Sequence, residues 1–548
     1  MAESKETKHY QLKKIRIKFY IFAVSVFVTF GSFVTVNALQ SSINIEDGLG
    51  NKTAMTTFGS GIICALLVTP VLLRVLKPKI ALIVSDVCFL FYVALNAYPS
   101  LYTLIPGGVF AGIASATMWP CTSLFSVFFG LEHWSHANRI PDFYVQSYTA
   151  KFFGVFQFNQ VIGNTFTTIT FQQSQKQQQE SSKTENTGVT DSYQTTTTVW
   201  ERDLSVCGAN DCQDPNITAQ NLEQYVPPTQ RSLYILIGIL SLLIVLSIIV
   251  KSIFLPTISP SVEMPTKRDY SSSNNHNNNR KLDSDTKDEA KSENGGVVNN
   301  AYDKERDDET TNVDQMSVTS EAISRISENE ESTVHFLKRT IKATFLHIIS
   351  VQQLLVAGLT FYDGMVMAFA ASELTRAYAS CVLGLPQVGI GMIVYGIGDI
   401  IFSFIVAKTP TAGIWRNFPM VIAFIIDTLN YSFCLTWEPN TENSWVIYLF
   451  FFGFGCADGI WQTLLNFRYG EYFPERKDIA FTAWNLWIML GFFLQYTLSS
   501  YMCVYEKIYM HLALLVASLF LYGLGEYRFL TKVRPTRAAP EIDLKTAL

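Results

Sequence analysis

Apolar residues gather along the chain into runs about as long as a bilayer is thick, roughly 20 residues of helix. Short stretches rich in Lys, Arg, Asn, Ser and Gly separate them. Twelve runs stand out: 19–39, 54–73, 80–98, 102–125, 152–171 and 233–254, then 348–371, 388–407, 418–437, 445–466, 480–499 and 508–524. Each predicts a membrane-spanning helix, because inside hydrocarbon a backbone must satisfy its own hydrogen bonds. The pattern therefore predicts an all-α multi-pass membrane protein with twelve transmembrane helices. Two polar blocks interrupt it. Residues 172–231 are rich in Gln, Thr and Ser, and 255–342 contain "SSSNNHNNNRKLDSDTKDEAKSENGG", which has no apolar periodicity with which to bury a core.

The predicted division is a cytosolic segment 1–18, a first set of six helices 19–254 with an outer loop 172–231, a disordered cytosolic linker 255–342, a second six 343–525, and a cytosolic tail 526–548. Orientation follows from short basic loops. Lys and Arg concentrate before the first run, after the second (Arg74, Lys77, Lys79), after the eighth (Lys408, Arg416), after the tenth (Arg468, Arg476, Lys477) and in the tail. Because such residues accumulate on the cytosolic side, both termini are expected there. "VNA" near the end of the first run resembles a signal-peptide cleavage site. The run is long for a signal peptide, so it is read as a retained helix. Near the end of the linker, Val334, Leu337, Ile341 and Phe345 share one helical face and Lys338, Arg339 and Lys342 another. This suits an interfacial helix and equally the basic flank of the seventh span.

Composition agrees: 49% of the 548 residues are hydrophobic, 14% aromatic and 16% charged, which excludes a single soluble domain. The net charge of −5 decides little and gives no sign of a nucleic-acid partner. "NIT" makes Asn216 a glycan acceptor in the outer loop, "NKT" offers Asn51 nearer the bilayer, and "NYS" at Asn430 falls inside the ninth run. Of nine cysteines, Cys207, Cys212, Cys381 and Cys503 fall on the oxidising side. Four thiols allow three connectivities. The expected one pairs Cys207 with Cys212 and Cys381 with Cys503.

Polar residues inside the runs carry the functional question, since a charge in hydrocarbon is costly and tends to face a partner or a watery cavity. Asp458, Gln462 and Asn466 are spaced i, i+4, i+8 on one helical face, and Gln157, Gln160 and Asn164 lie on another. Lone acids occur at Asp86, Asp363, Asp399 and Asp427. Two readings stay open: these groups bind helix to helix, or they line a central cavity between two halves. Glu373 and Arg376, three apart, are expected to form an interfacial ion pair. No nucleophile with an adjacent base, phosphate-cradling glycine loop or metal-ligand spacing is present, so the chain is read as a non-enzyme without cofactor or metal.

The stretches "NALQSSINIEDGLG", "YPSLYTLIP", "CGANDC", "SELTRAYASCVLG", "ADGIWQT" and "AFTAWNLWIMLGF", in that order, resemble the Unc-93-like family, and the pattern is nearer its homologue A branch. The resemblance covers nearly all the membrane portion but not the cytosolic linker. It implies a major-facilitator-like fold of two six-helix bundles in a plasma-membrane accessory protein, with endoplasmic reticulum or endosome as alternative compartments. The implied client is a potassium channel. The alternatives are a trafficking chaperone of Toll-like receptors or a solute transporter. In transporters of this fold the loop between helices 2 and 3 carries an acid, whereas this chain has "RVLKPK", which weakens the transporter reading. The ending "KTAL", with Thr546 and the Leu548 carboxylate, fits capture by a PDZ domain.

Overall fold

In the computed structural model, residues 2–45, 48–136, 141–185, 203–212, 229–258, 333–407, 414–473 and 477–533 are described, and every regular element among them is helical. The long helices are α1 (Ala2–Ile43), α2 (Leu49–Leu67), α3 (Thr69–Leu95), α4 (Leu101–Trp134), α5 (Pro141–Phe156), α6 (Asn159–Glu185) and α7 (Gln230–Phe254). They continue with α8 (Thr333–Ile348), α9 (Val351–Phe369, running on in wider π-type winding over Ala370–Leu383), α10 (Pro386–Ala407), α11 (Phe418–Thr436), α12 (Trp445–Tyr472), α13 (Lys477–Ser499) and α14 (Val504–Arg528). The chain divides into two units, one of Met1–Pro260 with Thr340–Leu548, and one of Ser261–Arg339. The first holds the apolar helices. Of the second, the described residues are the start of α8.

Among the described residues, nine helices are long and apolar enough to cross a membrane, so this is a multi-pass membrane protein. The other three predicted runs are broken or diluted. Run 54–73 is shared between α2 and α3, and run 152–171 is interrupted by a turn at Gln157 and Phe158 between α5 and α6. Run 445–466 is α12, which carries Asp458, Gln462, Asn466, Arg468 and Glu471. Helix α1 is already helical from Ala2, ahead of the first apolar run.

Local chemistry explains the punctuation. Ser100 and Thr103 cap α4 reciprocally. Thr229 accepts from the Ser232 N–H to start α7. Helix α3 breaks at Lys77 (φ 61, ψ 153), where the following Pro78 disfavours helical backbone. Most of linker 255–342, together with Asn216, Thr546 and Leu548, lies outside the described residues. In α8, Lys338, Arg339, Lys342 and Phe345 are exposed while Thr344 and His347 are buried. The predicted helix is therefore present, with Leu337 and Ile341 of its apolar face half-buried beside Thr344 and His347 while Phe345 is exposed.

Aromatic packing joins the helices. Phe22 on α1 stacks on Phe152 of α5 at 5.6 Å, and Phe58 on α2 stacks on Phe492 of α13 at 4.3 Å. Helix α10 lies between α6 and α12, and α13 packs on α2 and α9.

Candidate functional site

Helix α10 owes its position to two glycine faces. A Cβ on Gly398 would lie 2.6 Å from the Phe452 carbonyl oxygen. Across the interface, a Cβ on Gly455 would lie 2.0 Å from the Tyr395 carbonyl, and one on Gly459 2.4 Å from that of Asp399. Gly455 and Gly459, four apart, thus bring the backbones of α10 and α12 together as small residues do in membranes. On its other side α10 meets α6, where a Cβ on Gly389 would lie 2.4 Å from the Thr168 hydroxyl and one on Gly396 2.8 Å from Gln160. This close approach draws Tyr395 and Asp399 onto the polar face of α12.

The acids meet there. Tyr395 donates to Asp458 at 2.8 Å. The Gln462 amide donates to Asp458 at 3.1 Å and to the Met367 sulfur at 3.3 Å, and Asn466 donates back to the Gln462 carbonyl at 2.8 Å. Gln157, in the turn between α5 and α6, donates to Asp399 at 2.9 Å. Ser403 also donates to Asp399, at 3.2 Å. Asp427 accepts from Tyr362 at 2.9 Å and from Trp461 at 2.8 Å. Asp363 is buried, with no hydrogen-bond partner on either carboxyl oxygen. Asn164 is buried and turned onto its own helix, donating to the Gln160 carbonyl at 2.7 Å, and Gln160 itself is half-buried. Among the described residues no group of three or more His, Cys, Asp or Glu is placed to hold a metal ion.

A second polar layer lies at the other end of α9. Glu373 pairs with Lys507 at 2.7 Å and with Arg376 at 2.7 Å, all three fully or almost fully buried. Arg376 pairs in turn with Asp211 at 2.5 Å. Ser499 donates to Glu373 and accepts from Asn51 at 3.0 Å. Ser41 donates to the Ser372 carbonyl at 3.1 Å, tying α1 to the same segment. Disulfides Cys207–Cys381 and Cys212–Cys503 fasten residues 203–212 here.

Two further clusters are satisfied internally. Lys251 of α7 pairs with Asp86 of α3 at 2.7 Å, both side chains 1% exposed. Arg416, before α11, donates to Glu471 at 2.8 and 2.7 Å and to Glu526. Burial works against the Arg416 charge, but these carboxylates raise its pKa above the ordinary guanidinium range.

The sequence matches the family described as ion channel regulatory protein UNC-93 over residues 41–523. The chain belongs to that family. UNC-93 homolog A of Xenopus laevis is 26% identical over 94% of this chain and 93% of its own length. The human homolog A is 26% identical over 91% and 90%. A Caenorhabditis elegans relative, named for potassium channel regulation, is 21% identical over 94% of this chain and 61% of its own length. Among solved structures, a POT family transporter in complex with 5-aminolevulinic acid superposes with a TM-score of 0.52 at 9% identity, covering 94% of this chain and 96% of that one. At that identity the likeness speaks for the fold alone.

Within this UNC-93 family chain, two site expectations need correction. The disulfides run between distant elements, because residues 203–212 form two short 3-10 turns docked on the ends of α9 and α14. There Asp211 accepts from the Val504 N–H at 2.9 Å, and each cysteine faces one on a different helix. Asn51 is no exposed acceptor: it is buried in the first turn of α2 on Ser499. Glu373 and Arg376 pair as expected, and both side chains are buried in the protein. Of the cavity candidates, Asp86 is taken up by Lys251, whereas Asp458, Gln462 and Asn466 do share a face and Gln157 reaches across to Asp399. Sequence reading missed Lys251, Lys507, His511 and Asp211. A lone base near a helix end reads as a membrane flank, and spacing gives no sign of its partner.

Proposed function

We propose that this chain is a non-enzymatic accessory subunit that regulates or escorts another membrane protein, with a potassium channel as the client. On this reading it spans the plasma membrane twelve times in two six-helix bundles, 19–254 and 343–525, with both termini cytosolic. What carries the reading is the match to a family of ion channel regulators over residues 41–523. The buried chain Asn51–Ser499–Glu373–Lys507 supports it, because it joins α2 to α9, α13 and α14. A cleft between the bundles could open on that side only by separating these groups, and breaking a buried ion pair costs about 3–5 kcal/mol. A scaffold tolerates such a fixed end better than a transporter that must rock open on both sides.

A second reading, solute transport, is favoured by the acids of α9, α10 and α12. Asp458→Asn distinguishes the two. As an accessory protein, the variant reaches the surface and changes client current. As a transporter, it loses uptake in liposomes. The test pairs surface biotinylation and channel current in cells with uptake by the purified protein, together with affinity purification from native membranes. Gradient-driven uptake by the wild-type protein alone, lost in Asp458→Asn, overturns the accessory role.

A further inference from the structure

The buried acids of the long helices fall into two classes. Asp86 has Lys251, Glu373 has Lys507 and Arg376, and Glu526 has Arg416, which also holds the half-buried Glu471. Asp399, Asp427 and Asp458 make no ion pair among the described residues and are held by Gln157, Ser403, Tyr362, Trp461, Tyr395 and Gln462. Asp363 has not even those: it is 1% exposed and neither carboxyl oxygen has a hydrogen-bond partner.

The neighbours of Asp363 set its direction. Tyr362 turns to Asp427 on α11. A Cβ on Gly364 would lie 2.3 Å from the Ile488 carbonyl of α13. Met367, one turn further on the Asp363 face, contacts the Gln462 amide that also holds Asp458. Asp363 thus lies on the side of α9 that meets the acids of α10, α11 and α12. Of the other titratable groups nearby, Tyr395 on α10 interacts with Asp363, Tyr431 on α11 and His511 on α14 lie beside Tyr362, and Tyr469 on α12 bonds Thr360 one turn earlier. His511 is held between Tyr431 and Gln495. Lys507 is committed to Glu373.

We propose that Asp363 is a proton-binding site. An ionised carboxylate buried among apolar helices, with neither a donor nor a cation among the described residues, is strongly disfavoured. The carboxylates are not grouped to chelate a metal ion. A proton from water adds to one Asp363 oxygen and forms the O–H bond; nothing else is made or broken. Loss of that proton sets like charges facing across α9 and α12, so proton occupancy is linked to how closely these two helices pack. The inference concerns this chain alone and stands or falls independently of any client.

Infrared difference spectroscopy of the purified full chain in lipid nanodiscs provides the test, through the carbonyl stretch of a protonated carboxylic acid. The wild type is expected to show the band at neutral pH and lose it on alkalinisation, and Asp363→Asn is expected to remove the Asp363 component while leaving any from Asp399, Asp427 or Asp458. Should the Asn variant fail to fold, Asp363→Glu keeps an acid on a longer stem and is expected to shift the band. Absence of the band from the wild type at neutral pH, or a band unchanged in the folded variants, overturns the proposal. A band removed by potassium or sodium at constant pH overturns it in favour of a monovalent cation.

Discussion

The Asp86–Lys251 pair offers a quantitative test of the packing. Lys251 lies 2.7 and 2.8 Å from the two Asp86 oxygens, and both side chains are 1% exposed. Its next nearest partner, the Thr29 hydroxyl, is 3.5 Å away. Lys251→Met therefore strands a buried carboxylate and Asp86→Leu strands a buried ammonium, and each is expected to cost about 3–5 kcal/mol. The double variant removes both charges together. Apolar groups of similar volume in place of a buried ion pair are often neutral or stabilising, so it should recover most of either loss. The assay is unfolding of the purified protein in mixed micelles, followed by tryptophan fluorescence for wild type, both single variants and the double. Single losses below about 1 kcal/mol would mean that the pair is wet. A double variant as unstable as the sum of the singles would refute the argument that the two charges serve each other. Because the pair lies apart from the α9, α10 and α12 acids, a stable double variant should also retain its effect on a client.

Three further outcomes are expected. Non-reducing peptide mapping should recover Cys207–Cys381 and Cys212–Cys503, and opening either, with sequence separations of 174 and 291 residues, should cost about 2–5 kcal/mol; a Cys207–Cys212 peptide would contradict the docked loop. Gly459→Val should lower the melting temperature and surface yield, because overpacking costs about 1–3 kcal/mol or more, whereas Gly523→Ala, with nothing within 4 Å of the new Cβ, should be neutral or stabilising by about 1 kcal/mol. Glycosidase should sharpen and lower the gel band of wild type but leave Asn216→Gln unchanged, and protection of "NIT" from outside protease would reverse the topology.

Periodicity made much of this legible. The i, i+4, i+8 spacing of Asp458, Gln462 and Asn466 places them on one face, and the structure links them in that order. Glu373 and Arg376 were likewise readable as a local pair. Their remaining partners were not, because Lys507 and Asp211 come from chain segments more than 100 residues away and sequence spacing carries no information about such contacts. Cysteine connectivity was hidden for the same reason. Gly455 and Gly459 did carry a local signal, the small-residue repeat of close helix packing, which points to α12 as a contact helix though not to α10 as its partner.

The distribution of bases separates two jobs within one set of helices. Where α1 and α2 meet α9, α13 and α14, the buried charges among the described residues are answered: Glu373 by Lys507 and Arg376, and Arg376 again by Asp211 from a disulfide-held loop. Movement there must break several mutually supporting contacts at once, and losses within one such network do not add independently. Between α9, α10 and α12 the acids rest on tyrosine, serine and amide donors, with Asp363 on none. These contacts exchange more readily than ion pairs, and their number depends on which acids carry protons. On the accessory reading proposed above, a rearrangement that a client senses is expected to begin at Asp363 and Asp458, with the Glu373 network as its fixed end. A client effect that survives Asp363→Asn and Asp458→Asn but is lost in folded Lys507→Met would place the moving part at the network instead.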